Sequence, residues 1–192
     1  MTTARRTHAS RPALRRIEGL ARAAEIASIV ALVVLSASIA YLLVLLAANP
    51  DRLDALLRRE LLPAGADMTP TTATRAIAFG LGLVEILVGL FALDRARRLF
   101  RGYRAGEILT AAAAERLGTI GWAVFALAPV SILSRAGAVL ALTVMNEPGA
   151  RHLSVSLREG DVLAIVFGLL LVVVARILAE AALVAEENKA FV

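Results

Sequence analysis

Two charged residues stand where charge is costly. Glu85 lies at the middle of the apolar run Ala76–Leu93, and Arg135 divides the apolar stretches Leu117–Ser134 and Ala136–Met145. An ionisable side chain at bilayer depth is expensive, so it is a functional hypothesis that needs a named partner. If the third apolar helix runs to Val144, both residues lie nine positions below the outer ends of their helices. At about 1.5 Å per residue that depth is about 13 Å. Ser38 on the first apolar run lies at a similar level, and Ser131 is one turn before Arg135. Glu85, Arg135, Ser38 and Ser131 therefore form a candidate intramembrane polar site. A Glu85–Arg135 pair would spare each charge isolated burial. The plain role for such residues is helix–helix adhesion, worth under about 2 kcal/mol. The sharper role is a small ligand or ion site, and the remaining alternative is an arginine that snorkels to the surface. Pro129 frees the Phe125 carbonyl and is expected to kink its helix.

Other chemistry is excluded or unsupported. The chain has no cysteine, which removes disulfides, thiolate catalysis and thiolate metal sites. Its two histidines, His8 and His152, fall in segments expected on opposite sides of the membrane. No nucleophile–base–acid set, carboxylate dyad or metal-ligand spacing appears. Gly80-Leu-Gly82 lies inside an apolar run and lacks the strand–turn–helix context of a nucleotide loop. The expectation is a non-enzymatic protein with no cofactor and no metal.

The elements that must hold these residues are apolar helices. Of 192 residues 59% are hydrophobic, and the mean hydropathy is +0.75, above the soluble range. Residues 1–22 form a basic tail, disordered at first and then a short amphipathic helix from Ala13. Residues 23–192 form a membrane domain with spans at about 26–48, 76–93, 117–144 and 162–178. The first run exceeds the roughly 7–15 residues of a signal-peptide core, so it is kept as a span. The third is ambiguous, ending at Arg135 or near Val144. Asn49-Pro50 opens an amphipathic surface helix with Leu53, Leu56, Leu57 and Leu61 on one face. Thr residues before Ala76, and Thr110, are expected caps. Leu153, Val155 and Leu157 alternate with polar neighbours, a candidate short strand. Gly80, Gly82 and Gly89 are expected to let helices approach closely. The fold expected is all-α, a four-helix transmembrane bundle with a surface helix in the first outer loop.

A pI near 10.9 would suggest nucleic acid in a soluble chain. Here the arginines cluster beside apolar runs, as topology signals do. Fourteen basic residues fall in the tail, the second loop and the C-terminal segment, against seven in the first and third loops. Positive-inside then places both termini in the cytoplasm. Arginine supplies all but one of the basic residues, and with the abundant alanine this suggests a GC-rich bacterial genome and the inner membrane. Trp122 and Tyr103 fit an aromatic belt. The second loop, with Arg97, Arg98, Arg101 and Arg104, is read as a topology signal, or more sharply as a site for anionic lipid or an acidic partner. The C-terminal segment carries Glu180, Glu186, Glu187 and Asn188. These two oppositely charged surfaces are the candidate partner surfaces, and they are also able to close on each other. Membrane lipids are expected partners, direct nucleic-acid binding is not, and the oligomeric state is open.

The run GEILTAAAAERLGTIGW (Gly106–Trp122) and the ending EAALVAEENKAFV (Glu180–Val192) resemble patterns of a bacterial membrane family, domain of unknown function 2975. The four-span layout, with NEPG and HLSVSL between the last two spans, resembles it too. The Ala run 111–114 departs from relatives that carry a Pro-Glu-Asn-like helix start. The resemblance implies an inner-membrane protein of unknown activity, and some relatives are encoded beside small helix-turn-helix regulators. Together these readings suggest a non-enzymatic membrane partner of a cytoplasmic regulator. The alternative is a small transporter or ligand sensor built on Glu85 and Arg135.

Overall fold

The structure is a computed structural model that describes residues 11–62, 66–105, 107, 110–147 and 151–190, without the side chains of 11–18, 189 and 190. The first ten residues, expected as a disordered tail, and Pro63-Ala-Gly65 lie outside the described residues. Five helices follow in order: α1 (Arg11–Ala48), α2 (Pro50–Leu61), α3 (Thr72–Arg104), α4 (Ala111–Thr143) and α5 (Glu159–Ala190). All but α2 are long and apolar enough to cross a membrane. Large apolar side chains such as Val33, Ile77, Val173 and Ile177 are more than half exposed, as a lipid-facing surface requires. The chain is a multi-pass, all-helical membrane protein.

Residues that start helices do so for local reasons. Pro50 occupies the first turn of α2, where its missing N–H costs nothing. Asn49 holds the cap position without a side-chain hydrogen bond. Thr71 caps α3 by accepting from the Thr74 amide, and the Thr74 hydroxyl in turn accepts from the Thr71 amide. Thr110 accepts from the Ala113 amide and starts α4.

All four long helices run past their apolar cores. The surface helix expected from Ala13 and the first span are one helix, α1. Helix α3 passes Leu93 and continues for three turns through the arginines expected in a loop. Asp94 supports that extension by pairing with Arg97 and Arg98 at helical spacing. The Ala run 111–114 is the first turn of α4, continuous through Pro129 and past Arg135. The third helix is therefore the long one. The candidate strand is corrected: residues 151–158 have no regular secondary structure, and among the described residues nothing pairs with them as a strand. A lone strand leaves its backbone groups unmatched, and here Thr143 takes up the His152 amide at 3.1 Å instead.

The long helices alternate in direction and lie in the order α1, α3, α4, α5, with α2 set against α1 and α4. One end of the bundle holds the start of α1, the end of α5 and the junction of α3 with α4; the other holds α2 and residues 151–158. Helix α4 is the most buried of the four. Its small residues permit close approach: a Cβ on Gly168 would fall 2.5 Å from the Phe125 amide nitrogen, and one on Gly121 would fall 2.8 Å from Val172. The glycines expected to do this, Gly80, Gly82 and Gly89, have nothing within 4 Å of such a Cβ. They lie on open faces of α3, and the tight seam is between α4 and α5.

Candidate functional site

Arg135 lies on α4 and is only 8% exposed. Its guanidinium donates to the Ser131 hydroxyl one turn earlier, to the Asp161 carboxylate, and to the Ser156 carbonyl at 3.1 Å. Asp161 is 4% exposed, in the first turn of α5, and also accepts from the Arg158 amide at 2.8 Å. Its negative charge suits a helix N-terminus. The partner of Arg135 is thus Asp161, not Glu85. Because Asp161 opens α5, Arg135 sits level with the end of a spanning helix, beneath residues 151–158. This shallow position explains how an arginine is tolerated there. Its Nε has no hydrogen-bond partner.

Glu85, half-buried on α3, makes no ion pair or hydrogen bond among the described residues. It nevertheless lines two cavities together with Arg135. One, of about 320 Å³, includes Ser131, Arg158 and Asp161 beside Leu127 and Ala164. The other, of about 290 Å³, lies between α1, α2, α3 and α4. Its wall is almost wholly apolar, with Leu42, Leu53, Leu57 and Phe79 beside Glu85, Glu60, Ser134 and Arg135. Ser131, Arg135 and Glu85 are therefore neighbours around cavities. Ser38 is not among them: it is exposed and donates to the Val34 carbonyl of its own helix at 2.9 Å.

Sequence reasoning missed Asp161. The signal was available, since an acid stands one residue before the apolar run of α5, but the preceding alternation drew it into a strand.

The end where α3 meets α4 has its own geometry. Arg104 donates to Glu25 at 2.5 Å, and Arg101 contacts the same carboxylate at 3.6 Å, tying α3 to α1. Arg97 and Arg98 share Asp94. Arg97, Arg98, Arg101 and Arg104 are thus each met by an acid of α3 or α1. This basic surface does not close onto Glu180, Glu186 and Glu187, which stay exposed on α5 with no ion pair among the described residues; Asn188 is exposed beside them. Trp122 is exposed and packs edge-to-face on Phe125 at 5.7 Å, while Tyr103 is half-buried. Among the described residues no cluster of His, Asp and Glu could hold a metal ion.

Comparison with curated proteins and with solved structures finds no match. A family model matches residues 18–192, described as a protein of unknown function (DUF2975). That match covers all four apolar helices, so this chain belongs to the DUF2975 family.

Proposed function

We propose that the protein is a non-enzymatic component of the bacterial inner membrane, with both termini in the cytoplasm, that docks a basic cytoplasmic protein on the acidic end of α5. The observation that supports this reading is the exposed set Glu180, Glu186 and Glu187, without ion pairs among the described residues, while Arg98, Arg101 and Arg104 are engaged by Asp94 and Glu25. Complementary charge steers encounter and selects partners. A small DNA-binding regulator has the required basic character, and the membrane protein would hold it at the bilayer. A photocrosslinking amino acid at position 183, with cells held intact, tests this. A single basic protein should be trapped, and the adduct should vanish in Glu186→Lys/Glu187→Lys. Trapping only lipid would overturn the reading.

A second reading has its own support in the apolar cavity of about 290 Å³ with unpaired Glu85 in its wall. Cavities of this size and lining suit a small ligand. Since Asp161 already neutralises Arg135, the uncompensated charge is negative, and an amphiphilic cation is the matching ligand. The protein would then sense or transport such a compound. Glu85→Gln should abolish binding of octyltrimethylammonium while octyl alcohol binds unchanged, measured calorimetrically in lipid nanodiscs.

A further inference from the structure

Where α3 ends and α4 begins, a groove of about 540 Å³ is lined by Arg95, Arg98, Arg101, Gly102, Glu107 and Arg116. We propose that this groove binds a phosphate-bearing anion at the membrane surface. The site is separate from both the acidic end of α5 and the Glu85 cavity, and does not depend on either reading.

The charges do not close among themselves. Arg98 is met by Asp94 at 2.8 Å. Arg101 reaches only a carboxylate that Arg104 already holds, and Arg116 stands 3.7 Å from Glu107. Arg95 has no acid within ion-pair distance among the described residues. Its guanidinium carbon lies 4.9 Å over the Phe91 ring, and its Nε is buried with no hydrogen-bond partner. An arginine keeps its charge, and no carboxylate among the described residues competes for Arg95, so its guanidinium is open to an anion entering the groove. Guanidinium groups present paired donors that match phosphate oxygens.

The backbone is shaped to the same end. A Cβ on Gly102 would stand 2.9 Å from an Arg116 Nη and 3.3 Å from the Glu107 carboxylate. Glycine there lets Arg116 of α4 swing over α3 and complete the arginine wall. Arg95 follows the apolar run Ala76–Leu93 by two residues, which is the level of lipid phosphates, and basic pockets between spanning helices take up such headgroups. The shared chemistry is a phosphate group, carried by a lipid or free in solution.

Trp122 is the sole tryptophan and lies two turns beyond Arg116, so it can donate energy to dansyl-labelled phosphatidic acid. The full chain in phosphatidylcholine nanodiscs is titrated with that lipid. Binding should weaken at least tenfold in Arg95→Gln/Arg116→Gln, and stay unchanged in Arg52→Gln/Arg151→Gln, which removes equal charge at the opposite end. Displacement of the lipid by millimolar pyrophosphate identifies a soluble ligand; resistance to it identifies a lipid. Equal loss in both double variants overturns the proposal. So does wild-type binding of cholesteryl hemisuccinate, an anion without phosphate, as tight as that of phosphatidic acid, a comparison that needs no variant.

Discussion

The two ends of this bundle treat their polar groups in opposite ways. At the end holding α2, they are largely satisfied within the chain. Arg75 forks onto Asp54 at 2.6 and 2.7 Å, and Arg58 and Arg158 donate to the Ala66 and Glu60 carbonyls. Asn146, at the end of α4, bridges the Thr69 hydroxyl and the Asp67 carbonyl. Arg135 has Asp161. At the other end, acids on α5 and the guanidinium of Arg95 find no opposite charge among the described residues. A group satisfied internally serves the fold; a charge left open at an aqueous or lipid boundary is available to something else. This contrast, more than any single residue, directs the functional search to the end where α3 meets α4.

The largest test of the contrast concerns the seam that holds both ends together. Gly168→Val should cost more than about 4 kcal/mol, since the new side chain meets the backbone of Phe125 and not a flexible neighbour. Gly80→Ala, with open space around it, should shift stability little. Reversible unfolding in mixed micelles reads both. Next comes Asp161→Ala, which strands a buried guanidinium and should cost about 3 kcal/mol. Replacing both members by leucine should recover part of that loss. At the same end, Thr71→Ala removes one half of a capping box and should cost about 1 kcal/mol in the same unfolding measurement. If charge-removing changes at Arg95 cost as much as Asp161→Ala, the two ends are not different in kind.

How much of this was legible in the sequence depends on the range of the interaction. Caps and breaks are local, so Pro50, Thr71, Thr110 and the stop at Asn146 could be read from neighbours. Apolar length shows four spans for the same reason. The extent of the helices was not legible, because apolar counting stops at the first charge while α3 continues through Asp94 to Arg104 on its own ion pairs. Pairings between helices depend on rotation and relative height, which periodicity leaves open. Hence Glu85 and Arg135 looked matched by depth, when Arg135 is level with the first turn of α5. For the same reason the close-packing glycines proved to be Gly121 and Gly168. Glycine composition marks that a close approach exists somewhere, and only the fold says which face carries it.

The smallest expected effect is the most discriminating. Glu85 and Arg135 line the same two cavities, yet Arg135 spends its donors on Ser131, Ser156 and Asp161. A double-mutant cycle between Glu85→Ala and Arg135→Ala should therefore give a coupling below about 1 kcal/mol, as expected of residues that share a cavity without bonding. The cycle between Arg135→Ala and Asp161→Ala should give at least about 1 kcal/mol, as expected of a contacting pair. Equal couplings would mean that Glu85 shares the neutralisation of Arg135. The polar node at the α2 end would then be one closed network, and the apolar cavity would lose the free carboxylate on which a cationic ligand depends. Unequal couplings leave Glu85 a half-buried acid whose charge no described residue answers.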